Sequence, residues 1–159
     1  MNEIIDDLVK EMQESLKRAE HSVFVSLKYT RTVDVIKNLV DRYITTLSYC
    51  VDALIEYLFE KRIIQEKPEN LIDKTNIIYE QFPRDELLAD CLDFLIFLRK
   101  ASRAEYGKCE EFRRHVTMSV KIDGADYEID IDVLMEAFQS MKKYVEHTRR
   151  IMKEIKNED

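Results

Sequence analysis

Two glycines, Gly107 and Gly124, and two prolines, Pro68 and Pro83, are the only glycines and prolines in the 159 residues of this chain. That scarcity excludes several kinds of chemistry. A P-loop needs two glycines ahead of its lysine, and a dinucleotide fingerprint needs two or three in one short turn. The G-x-S-x-G nucleophile elbow is missing too. The chain also has no apolar run near the roughly 20 residues that span a bilayer. Its first ten residues carry Glu3, Asp6 and Asp7, the wrong charge for a secretory signal. A cytoplasmic protein without a membrane partner is the expectation. Cys50, Cys91 and Cys109 are odd in number, widely spaced and without a C-x-x-C pair, which suits reduced thiols. A basic excess is lacking as well. The net charge of −7 argues against wholesale nucleic-acid binding while leaving room for a local basic patch. Diiron-type bundles need Glu-x-x-His, but His21, His115 and His147 follow Arg18, Phe112 and Tyr144 at that spacing.

What remains is helical periodicity. A hydrophobic content of 45% beside 36% charged residues fits a single globular domain over residues 1–159. A first helix is predicted from Glu3 to about His21, continuing through Val23–Tyr29 because no breaker intervenes. Thr32 is the expected N-cap of a second helix whose apolar positions recur from Ile36 to Leu58. Pro68 fits the first turn of a third helix with Leu71, Ile72, Thr75, Ile78, Tyr79 and Phe82 facing inward. Pro83 then pushes Phe82 toward extended backbone. Between Leu87 and Leu98 only Asp90 and Asp93 are polar, so a fourth helix is expected at the centre of the bundle. A last helix carries Leu134, Phe138, Met141, Val145 and Ile151 on its buried stripe, with Asp132 as its cap and Glu146–Arg150 as an i,i+4 pair.

One hairpin interrupts the helices. Around Asp123-Gly124, Val116, Met118, Val120 and Ile122 alternate with polar residues, as do Ala125, Tyr127, Ile129 and Ile131. A two-residue Asp-Gly loop suits a type I′ turn and pairs Ile122 with Ala125, Val120 with Tyr127, Met118 with Ile129 and Val116 with Ile131. The expected fold is all-α, an up-and-down bundle of about five helices with one hairpin at about 116–131 before the last helix. An isolated hairpin is marginal in water, so its apolar face must lie on the helices or on a second subunit. Its open edges suggest a homodimer.

Two charged constellations are candidate sites. Glu86, Asp90 and Asp93 fall at i, i+4 and i+7, where like charges repel unless something compensates. A divalent cation would do so, giving a metal-dependent nucleotide hydrolase as the alternative function. A basic partner helix or solvent would serve equally well. The second constellation is a charge separation. Seven basic residues lie between Arg99 and Lys121 against three acids, while Asp123–Glu136 holds six acids and no base. Arg99, Arg103, Tyr106, Arg113, Arg114 and His115 form a candidate binding surface for a phosphate backbone or an acidic partner, and the same basic segment could equally pair with the acidic strand of its own hairpin or with a dimer mate.

The order of features resembles the HEPN superfamily: an opening helix, a long Tyr-containing second helix, a shorter third and a central helix ending in a polar loop. The last helix, from Ala137 to Val145, is similar to the closing helix of those domains, and Ala104-Glu105-Tyr106-Gly107 resembles the Ala-Asp-Tyr segment of one branch. Active members share an Arg followed after four to six residues by His. Here His115 follows Lys108, Cys109 and Glu110 at those distances, and His147 follows Ser140, Met141 and Lys142. The Arg that precedes the Ala-Asp-Tyr segment by three is Ala101 here. The resemblance therefore implies a non-catalytic relative needing no cofactor, a module that dimerises and contacts RNA or a nucleotidyltransferase-type partner.

Overall fold

A computed structural model describes residues 3–29, 32–109 and 116–157. The elements run α1 (Glu3–Tyr29), α2 (Val33–Glu60), α3 (Leu71–Gln81), α4 (Glu86–Arg103), β1 (Tyr106–Cys109), β2 (Thr117–Ile122), β3 (Ala125–Ile129) and α5 (Ile131–Asn157). The chain is an all-α bundle of five helices with one small antiparallel sheet of order β1-β2-β3 before the last helix. No helix of the described residues is long and apolar enough to cross a membrane.

The centre of the bundle is α2, not α4. α2 packs against α1, α3, α4, α5 and β2, and Val51, Ala53, Leu54, Ile55, Tyr57 and Leu58 are all buried. Consecutive buried residues on a helix require neighbours all round. On α4 the buried stripe is Leu88, Cys91, Leu92, Leu95, Leu98 and Ala101, whereas Phe94 and Phe97 are only half-buried. Aromatic neighbours shelter those two rings: Phe94 lies 6.4 Å from Tyr144, and Phe97 meets Tyr127 edge-on at 5.0 Å. Sequence hydrophobicity could not separate a fully enclosed helix from one that shields its flank with neighbouring rings.

Polar ties set the helix register. Ser15 and Thr46 hydroxyls bond at 2.7 Å between α1 and α2, and Ser102 donates to Asp41 at 2.7 Å between α4 and α2. Tyr43 Oη donates to the Leu134 carbonyl at 2.7 Å, joining α2 to the start of α5. Cys50 and Cys91 are buried thiols. Burial pushes Cys50 up to about 12 from 9.0, raises Cys91 well above 9.0, and raises the Tyr43 phenol above 10.0. These groups are neutral in the fold and ionise more readily once unfolded. The folded state therefore holds more protons above about pH 9, so stability falls as pH rises from there toward 12. Denaturation midpoints should be flat between neutral pH and about 8.5 and fall beyond it; a stability that rises into the alkaline range contradicts buried, neutral thiols.

Helix ends show where local chemistry departs from the sequence expectation. Thr32 occupies the N-cap of α2 in extended backbone, but its side chain makes no capping bond. α2 ends in a Schellman arrangement, with Ile63 N–H to Leu58 O and Arg62 N–H to Phe59 O, both at 3.0 Å. Arg62 takes the left-handed position there at φ 62°, a place usually given to glycine. α3 starts at Leu71 rather than around Pro68, because Asn70 caps it by accepting from Asp73 N–H at 2.8 Å. Ile72 is consequently turned outward, 58% exposed, instead of facing the core. Asp130, not Asp132, caps α5, its Oδ1 accepting from Val133 N–H at 2.8 Å.

The hairpin pairs Ile122 with Ala125, Val120 with Tyr127 and Met118 with Ile129. Asp123 and Gly124 both have positive φ, 52° and 83°, as the type I′ turn requires. The expected Val116–Ile131 pair is absent, because Asp130 leaves the ladder to cap α5 and Ile131 becomes its first residue. Met118, Val120, Ile122 and Ile129 are buried, with β2 against α2 and α4, so the bundle covers the apolar face without a second subunit. Toward the turn, Ala125 and Tyr127 remain exposed.

Candidate functional site

The C-terminal half of α4 places Ile96, Arg99, Lys100 and Arg103 on one face by their i, i+3, i+4, i+7 spacing. Opposite stands the start of α3. There Asn70 is doubly tied to Asp73, accepting its N–H and donating Nδ2–H to Oδ2, each at 2.8 Å. The cap fixes Leu71 and Ile72 across from Ile96. Between the two helices lies a groove of about 400 Å³ with an aliphatic floor and a cationic wall. Lys100 is engaged, its Nζ 2.8 Å from Asp123 at the hairpin turn. Arg99 is half-buried and Arg103 exposed, and neither has an ion-pair partner among the described residues. The groove can therefore take an anionic group while covering apolar surface beside it.

The other sequence-derived binding residues are placed differently. Tyr106 opens β1 opposite Val120, and its Oη donates to Asp34 at 3.2 Å, which draws it toward the start of α2 rather than into the groove. Arg113, Arg114 and His115 lie outside the described residues. Glu86, Asp90 and Asp93 are all exposed along α4 and spread over roughly 10 Å of its axis. Asp93 accepts a hydrogen bond from Tyr79 Oη, and burial together with that carboxylate pushes the Tyr79 phenol above 10.0. Among the described residues no three His, Cys, Asp or Glu side chains are grouped to hold a metal ion.

One close pair escaped the sequence reading. His147 Nε2 lies 2.7 Å from Asp85 Oδ2, joining α5 to the residue that caps α4. The partners are 62 positions apart, and no local spacing signals their meeting.

Compared with known proteins, the chain matches no family model, no curated protein and no solved structure.

Proposed function

We propose that this chain is a cytoplasmic, non-catalytic interaction module of HEPN-like organisation, and that the α3–α4 groove is its contact surface. The observation that carries the reading is the pair Arg99 and Arg103, one helical turn apart and unpaired among the described residues, beside the aliphatic floor of Leu71, Ile72 and Ile96. That combination favours a protein partner over RNA. Single-stranded RNA binds through aromatic stacking platforms, and this floor has none. An acidic amphipathic segment, such as a nucleotidyltransferase-type partner could present, satisfies both halves of the groove. The test is fluorescence anisotropy with two probes, a synthetic helical peptide of leucines flanked by glutamates and a single-stranded RNA. The peptide should bind and the RNA should not; RNA binding with no peptide binding overturns the protein reading.

Self-association is the second part of the proposal. Met118, Val120, Ile122 and Ile129 are already covered by the bundle, which turns attention to the strand edges. β3 carries Asp126 and Glu128, like charges that oppose a symmetric β3–β3 ladder. β1 is the edge without that conflict, and we assign it the two-fold contact. Light scattering should give twice the chain mass at high micromolar concentration; a strict monomer removes the dimer.

A further inference from the structure

At the opposite end of α4 from the groove, roughly 20 Å along its axis, the His147–Asp85 pair occupies a different electrostatic setting. Asp85 is fixed at both oxygens: Oδ1 accepts from Leu88 N–H at 2.9 Å and Oδ2 meets His147 Nε2. The imidazole is thereby held by a carboxylate that is itself locked to a helix end. Its other nitrogen, Nδ1, has no hydrogen-bond partner among the described residues. Both side chains are about 20% exposed.

Beside the ring is a depression of about 360 Å³ whose wall includes Lys142, Lys143 and Arg150. None of these three has a carboxylate partner among the described residues; Lys142 Nζ rests over the Phe138 ring at 5.7 Å. The single acid in that wall, Glu146, is turned to Arg149 at 3.5 Å, instead of to Arg150 as the i,i+4 spacing suggests. On the other side of the ring, Arg84 and Glu86 border a second, shallower opening. A protein of net charge −7 thus gathers, beside one oriented imidazole, three cations that have no carboxylate partner among the described residues.

We propose that this depression binds a phosphate group, with Lys142, Lys143 and Arg150 supplying the charge and His147 an oriented imidazole contact. Phosphate presents several acceptor oxygens and a charge between one and two near neutral pH, which suits converging charged donors better than it suits water. With Nε2 directed to Asp85, Nδ1 is the nitrogen left to meet a ligand. A phosphate beside it favours the charged ring, so binding of a phosphodiester, whose own charge does not change near neutral pH, takes up a proton and tightens as pH falls. The charged groups that share the two openings with the ring are Arg84, Asp85 and Glu86 at the start of α4 and Lys142, Lys143, Glu146 and Arg150 on α5. The phosphate belongs either to a small molecule or to a polynucleotide backbone.

The test follows the His147 ring signals by NMR in the full chain, with inorganic phosphate, with pyrophosphate and with a short oligonucleotide, against chloride at equal ionic strength. Phosphate should raise the His147 titration midpoint. Lys143→Gln with Arg150→Gln should weaken binding by about ten-fold, as expected for two lost contacts from exposed charged side chains. His147→Gln should keep charge-driven binding but flatten its pH dependence, which a structural role for the ring would not produce. Arg99→Glu with Arg103→Glu should leave the site unchanged, so its failure and that of the groove are distinguishable. Equal response to inorganic phosphate and pyrophosphate marks a small-molecule site. Much tighter oligonucleotide binding with steep salt dependence marks a backbone. A His147 midpoint that none of the three moves, or moves no more than chloride does, overturns the proposal.

Discussion

Tyr43→Ala is expected to lower the unfolding free energy by about 3–5 kcal/mol, the range for removing a buried aromatic side chain. Tyr43 is fully buried in α2, with its ring 6.3 Å from Phe138 and its hydroxyl on the Leu134 carbonyl at 2.7 Å. The substitution removes a fully buried ring from the core and also leaves that carbonyl one bond short. Tyr43→Phe separates the two effects. It keeps the ring and should cost only about 1 kcal/mol, since the Leu134 carbonyl retains its place in α5. Urea unfolding of both variants measures the difference. A cost for Tyr43→Ala within about 1 kcal/mol of zero contradicts the central position of α2.

Reversing Arg99 and Arg103 together to glutamate is expected to weaken binding of the acidic helical peptide at least about a hundred-fold. Each lost charge-assisted contact is worth about 1.5–3 kcal/mol, and reversal adds repulsion. Neither side chain belongs to the buried core, so thermal stability should hardly change. Arg99→Lys with Arg103→Lys should fall between, because an ammonium keeps the charge but loses the two-pronged geometry that suits carboxylates. Affinity unchanged by the double reversal, in a protein that still folds, removes these residues from the contact surface.

Much of this architecture was legible residue by residue. Asp123-Gly124 announced the turn, and the two-residue period around it set the register from Ile122–Ala125 to Met118–Ile129. The unbroken periodicity of Ile36–Leu58 announced α2. β1 was not legible, because four residues following a helix leave too little alternation to distinguish a strand from a loop. The rank of α2 over α4 was hidden too, since Phe94 and Phe97 read as core although neighbouring rings cover them. At the site, Arg99 and Arg103 were visible as local charge. Ile72 reads as core by its spacing, because the cap at Asn70, which rotates it outward, depends on which of several polar residues ends the loop. The His147–Asp85 contact was invisible, as a pairing made only by the docking of α5 against the start of α4.

The most direct test of the contact surface is a methyl-resolved NMR titration of the full chain with the acidic helical peptide. The account predicts shifts confined to the methyl groups of Leu71, Ile72 and Ile96, lost when Arg99 and Arg103 are reversed. A peptide that binds while those three residues stay silent, with its shifts on the sheet or on α5 instead, contradicts it.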